Sequence, residues 1–175
     1  MPTATNTPAA CTASDTGLLS PTNEFADSGG DDDGFELNPT AAYANGGGFA
    51  TNDGGNGDRH RYYGYGIAIP AGCNTIAGIE VRLDYWLKNN GGNNRIRVQL
   101  SWNGGNNWTS RKTDNSEPQS ETAVTFGGSN DRWGRTWTVG QLSNANFRVR
   151  IVMNLGNGGQ EVYLDWAAVR IYYAP

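Results

Sequence analysis

From Ile79 to Lys88 apolar and polar residues alternate without a break. Ile79, Val81, Leu83, Tyr85 and Leu87 fall on one side, and Glu80, Arg82, Asp84, Trp86 and Lys88 on the other. A period of two is that of a strand with one face on a core. The pattern returns at Arg95–Trp102, with Ile96, Val98, Leu100 and Trp102 inward and Arg95, Arg97, Gln99 and Ser101 outward. It returns again at Phe147–Met153, with Arg148 and Arg150 outward. A further strand is expected over Tyr63–Ile69, stopped by Pro70-Ala71-Gly72. The last, Val162–Tyr173, loses its alternation at Ala167-Ala168, where a bulge is expected. Asn89–Asn94 reads as a turn. Helical periodicity is confined to about one turn at Pro39–Ala44, and no internal repeat is seen. Short alternating strands separated by Gly-rich turns predict an all-β fold, an antiparallel two-sheet β-sandwich with jelly-roll topology.

The 175 residues suit one sandwich domain over 18–175, preceded by a Thr/Pro/Asn-rich extension over 1–17. Gly (25) and Asn (20) concentrate in the clusters between apolar runs, as turns require. A net charge of −4 argues against a nucleic-acid partner, which would need a basic footprint. No apolar stretch is long enough to span a membrane. Residues 1–10 do not show a basic region followed by an apolar core, so no signal peptide is expected there. Cys11 and Cys73 match no metal motif. In a Lys-poor, Asn/Gly/Thr-rich chain of extracellular character they are expected to form one disulfide.

Ser101-Trp102-Asn103-Gly104-Gly105-Asn106-Asn107-Trp108-Thr109 predicts a hairpin, with Asn103-Gly104-Gly105 supplying positive φ and Trp108 packed inward over the strands. It resembles the Asp-box, Ser-x-Asp-x-Gly-x-x-Trp, with Asn103 in place of Asp. That resemblance implies a folding element. Asp131, Arg132, Trp133 and Trp137, with Leu164-Asp165-Trp166 and Val169–Tyr173, resemble a sandwich module of bacterial surface and phage-associated proteins. Trp133 and Trp137 are expected to cover one end of the sandwich. Residues 1–10 resemble the stalks that space domains in large bacterial surface proteins.

Gly34-Phe35-Glu36 near the start and Leu164-Asp165 near the end together resemble the carbohydrate-binding, galactose-binding-like jelly rolls. In those, the first and last strands lie side by side and often share a structural calcium. The resemblance implies Asp33, Glu36 and Asp165 as Ca²⁺ ligands. Asp31, Asp32, Asp53 and Asp58 are further oxygen donors of the hard type calcium takes.

Trp86 is the sharpest functional signal, an aromatic ring on the polar side of its strand. A sugar would lay its C–H face on the ring and give its hydroxyls to Arg82, Asp84, Arg97 and Gln99. The competing reading has the Asp31–Asp58 segment covering Trp86, with the arginines forming a cross-strand charge ladder. Catalysis has little support. His60 is the one histidine, between Arg59 and Arg61, whose charges would depress its pKa. The function expected is a non-catalytic, extracellular module binding a polysaccharide or cell-surface glycan. The alternative is a structural subunit of a surface fibre or adhesin, in which residues 1–12 add a strand to a neighbouring copy.

Overall fold

The computed structural model describes residues 10–30, 33–156 and 160–175. Among these residues ten strands form two five-stranded antiparallel sheets. The first sheet runs β1 (Ser14–Asp15), β10 (Val162–Ala174), β5 (Thr75–Leu87), β8 (Thr122–Gly128), and β3 (Ala50–Asn52) also pairs with β10. The second runs β2 (Asn23–Asp27), β4 (Arg59–Tyr63), β9 (Arg148–Asn154), β6 (Arg95–Ser101), β7 (Lys112–Asp114). Every connection but β6–β7 crosses from one sheet to the other, which makes the sandwich a jelly roll. The one link that stays within a sheet is the Asn103–Gly105 hairpin.

The alternation read from the sequence is the alternation of burial. Ile79, Val81, Leu83, Tyr85 and Leu87 face Ile96, Val98, Leu100, Val149, Ile151 and Met153 across a closed core. Trp133 and Trp137 are buried at one end. The Trp133 indole N–H donates to Ile79 O and that of Trp137 to Arg132 O, while Asp131 accepts from the Trp133 backbone and pairs with Lys112.

Two elements differ from expectation. The strand expected at Tyr63–Ile69 is Arg59–Tyr63. Beyond Tyr63 the chain leaves the ladder, while Tyr65, Ile67 and Ile69 still pack on the core. Alternation there records packing without pairing. The bulge in β10 is at Asp165, between Leu164 and Trp166, with a second irregularity at Tyr172/Tyr173.

The chain before β2 is tied down in three ways. β1 pairs with β10, Leu19 bridges Val169, and Cys11 is disulfide-bonded to Cys73. The sheet therefore takes in residues ahead of Leu18. Residues 1–9, most of the segment expected to add a strand to a neighbour, lie outside the described residues, as do Asp31 and Asp32.

Candidate functional site

Trp86 lies on the outer face of the first sheet, directly across from Tyr163. Their ring centroids are 5.2 Å apart at an angle of 31°. Phe49, from the loop ahead of β3, meets both rings edge-on at 5.1 and 5.2 Å and is itself 43% exposed. The result is a three-ring ledge with Trp86 half-buried beneath Phe49. A Lys88–Glu161 ion pair borders it, and Glu161 also accepts from the Tyr163 hydroxyl. Further along the face, the Arg82 guanidinium donates to both carboxylate oxygens of Asp84 at 2.7 and 2.8 Å. Arg82 also lies 5.4 Å from the Trp166 ring centre, and Asn45 donates to Asp84. Trp86, Arg82 and Asp84 are thus brought together.

Arg97 and Gln99 are not with them. β5 and β6 are consecutive, but the chain changes sheets between them, so their outward side chains point to opposite sides of the sandwich. Gln99 is 8% exposed, donates to Thr109 O and accepts from Arg150. Arg97 donates to the Asn154 side chain. Trp108, expected to pack inward, is half-buried on this second outer face, with the Arg150 guanidinium 3.9 Å from its ring centre. A hollow of about 420 Å³ lies between Trp102, Trp108 and Trp133. It is lined also by Arg135, whose guanidinium sits 3.6 Å over Trp102 and 4.7 Å over Trp137.

The expected calcium ligands fall into two clusters, each able in composition to hold a cation. Asp33 and Glu36 gather with Asp58. Asp165 sits instead with Asp84 and Glu121, because the bulge turns it to the outer face of the first sheet, where it accepts the Gly46 N–H at 2.8 Å. The first cluster is the more built. Asp58 is fully buried. The Asn52 amide nitrogen touches Gly34 O, Glu36 Oε1 and Asp58 Oδ2 at 2.7, 3.1 and 2.5 Å, while its own Oδ1 is buried without a partner. Gly30 and Gly55 press so close that a Cβ would fall 1.7 and 1.6 Å from the Asp58 carboxylate oxygens. Burial, with Asp33 alongside, pushes the Glu36 pKa up to about 7. Crowded carboxylate and amide oxygens are a donor set fitted to a hard cation. Asp58 gave no more signal in the sequence than any loop aspartate.

His60 is in strand β4, inward-facing and 1% exposed. Its Nδ1 accepts the Phe35 N–H at 3.2 Å and its Nε2 faces Glu24 at 2.9 Å. Burial, rather than the flanking arginines, pushes its pKa down to about 4, against the pull of Asp27.

The architecture is that of an antiparallel two-sheet sandwich carrying half-buried aromatics on its outer faces. No family model matches the sequence, and no curated protein matches it. Among solved structures it is similar to carbohydrate-binding modules. One is a family 16 carbohydrate-binding module (12% identity, 75% of this chain and 81% of the other, TM-score 0.44). Another is TmCBM61, solved with β-1,4-galactotriose (12%, 86% and 89%, TM-score 0.43). A third is the CBM36-1 domain of a multidomain xylanase from the hindgut metagenome of Trinervitermes trinervoides (12%, 90% and 96%, TM-score 0.40).

Proposed function

We propose that this chain is a non-catalytic, extracellular polysaccharide-binding module. The observation that carries the reading is the Phe49–Trp86–Tyr163 ledge. Three rings in mutual contact, one of them well exposed and bordered by charged hydrogen-bonding groups, offer a sugar an apolar surface and polar partners together. Arg82 would take hydroxyls beside it, held in place by the buried Asp84, whose oxygens are occupied by Arg82 and Asn45. The disulfide suits an oxidising compartment.

The test is retention of the purified domain on a panel of soluble and insoluble neutral polysaccharides. Binding to one polymer should fall roughly tenfold or more in Trp86→Ala, the effect of losing about 1.4 kcal/mol of stacking, with the melting curve confirming the fold. Retention unchanged in Trp86→Ala would move the site elsewhere. Failure on every polymer, with self-association in sedimentation, would favour the fibre-subunit reading.

Calcium is proposed as a structural ion held by Asp33, Glu36 and Asp58. At a hundredfold excess over its Kd it would add about 2.7 kcal/mol. That corresponds to a rise in Tm of roughly 5–10 °C for a chain of this size. Differential scanning fluorimetry with Ca²⁺ and with chelator should show the rise in the native protein and lose it in Asp58→Asn. Equal melting in both conditions would remove the ion from the account.

A further inference from the structure

The outer face of the second sheet collects most of the chain's positive charge. Across its middle row the strand register sets Arg61 directly opposite Arg150, and Arg150 opposite Gln99. The row on one side brings Arg59 and Arg97 up on either side of Val152, and the row on the other side sets Arg148 beside Tyr63. Arg95 and Arg111 extend the group at the β6–β7 side. Seven of eleven arginines thus share one face of a protein whose net charge is −4.

Like charges placed directly opposite are unfavourable in a sheet. Asp27 is the one acidic residue in outward register on these strands. It bridges Arg61 and Arg150 at 2.6 and 3.3 Å, leaving the excess unbalanced. Burial together with neighbouring guanidiniums holds Arg97, Arg148 and Arg150 below the usual arginine range. Two hollows flank the central pair. One of about 420 Å³ is lined by Arg95, Arg97, Asn93 and Asn154, and one of about 280 Å³ by Phe25, Arg61, Tyr63 and Arg148. From residue 148 to residue 154 of β9 the face runs about 20 Å, the reach of a short oligosaccharide.

We infer that this face is a second binding surface, distinct from the Trp86 ledge, and that its ligand is a polysaccharide whose sugars carry carboxylates. Arginine forks match carboxylates in a planar, two-point fashion. Three of the guanidiniums stack against rings: Arg61 on Phe25 at 5.2 Å, Arg148 on Tyr63 at 4.2 Å and Arg150 on Trp108 at 3.9 Å. This gives flat, half-apolar, cationic tiles suited to a sugar ring bearing an acid group. The same stacking argues against single-stranded nucleic acid, which needs open aromatic faces for its bases.

The test uses polygalacturonate as probe, its highly methyl-esterified form as the uncharged control, and single-stranded RNA as competitor, by affinity electrophoresis and calorimetry. Arg95 and Arg111 are exposed, so Arg95→Glu with Arg111→Glu changes charge without disturbing the core. Polygalacturonate should bind, weaken as salt rises, and bind about tenfold less well to the double variant, while Trp86→Ala binds as the native protein does. Equal binding of the esterified polymer, unchanged binding by the double variant, or tighter binding of RNA would each overturn the inference. Loss on neutral polymers alone would instead count against the ledge.

Discussion

Opening the Cys11–Cys73 bridge should lower the melting temperature by roughly 8–16 °C, the shift expected for a loss of about 4 kcal/mol in a chain of this length. The cysteines are 62 residues apart, so the bridge removes a large closed loop from the unfolded ensemble. Its native-state effect adds to this. Cys73 is buried beside the Pro70–Cys73 turn, and Cys11 leads into the segment that lays β1 and Leu19 along β10. In that segment the Ser20 hydroxyl accepts from the Trp166 indole N–H, and the Thr16 hydroxyl accepts from the Ile171 N–H. Scanning calorimetry with and without reductant, and of Cys11→Ser with Cys73→Ala, should show the fall in both. Hydrogen exchange should show the outer edge of β10 opening before the core. A reduced protein that melts within a degree or two of the native one would mean that β1 holds without its anchor.

Acidification should cost about 3 kcal/mol of stability through His60 alone by pH 4. The unfolded histidine takes up a proton near pH 6.5, whereas the folded one resists until about pH 4 because its ring is buried. Between those values the unfolded chain holds more protons. The stabilisation is complete above pH 6.5 and drains away as the pH falls through about 4. Urea unfolding at a series of pH values should therefore show a steeper slope across this window in the native protein than in His60→Gln. Equal slopes would assign acid sensitivity to the carboxylates. Because His60 is neutral at physiological pH and packed against Phe35 and Tyr62, its place is in the core rather than in proton transfer.

Much of the fold was legible because alternation is local. β5, β6 and β9 showed their inward and outward residues in sequence, and the aromatic, Gly-rich stretch around Trp133 marked one closed end. The β6–β7 hairpin was legible too, with Gly104 and Gly105, though not Asn103, at positive φ; that it is the link that stays within a sheet came only from the structure. β4 was displaced because alternation persists from Tyr63 to Ile69 without ladder hydrogen bonds to accompany it. The bulge was displaced from Ala167-Ala168 to Asp165, where a charged side chain had to turn out of the core to reach the Gly46 N–H.

By itself, the sequence determined the class of fold, the buried face of the main strands, the single disulfide and the outward placement of Trp86. These follow from periodicity, composition and the arithmetic of two cysteines. Only the tertiary structure decided which outward residues share a surface. It separated Arg97 and Gln99 from Trp86, joined Phe49 and Tyr163 to it, and gathered Asp58 with Asp33 and Glu36. It also drew seven arginines from β4, β6, β9 and the position just ahead of β7 onto one face. The reason is physical. Period two tells in from out along one strand, but the jelly roll moves the chain between sheets at nearly every turn, and long-range pairing alone says whose outward side is whose.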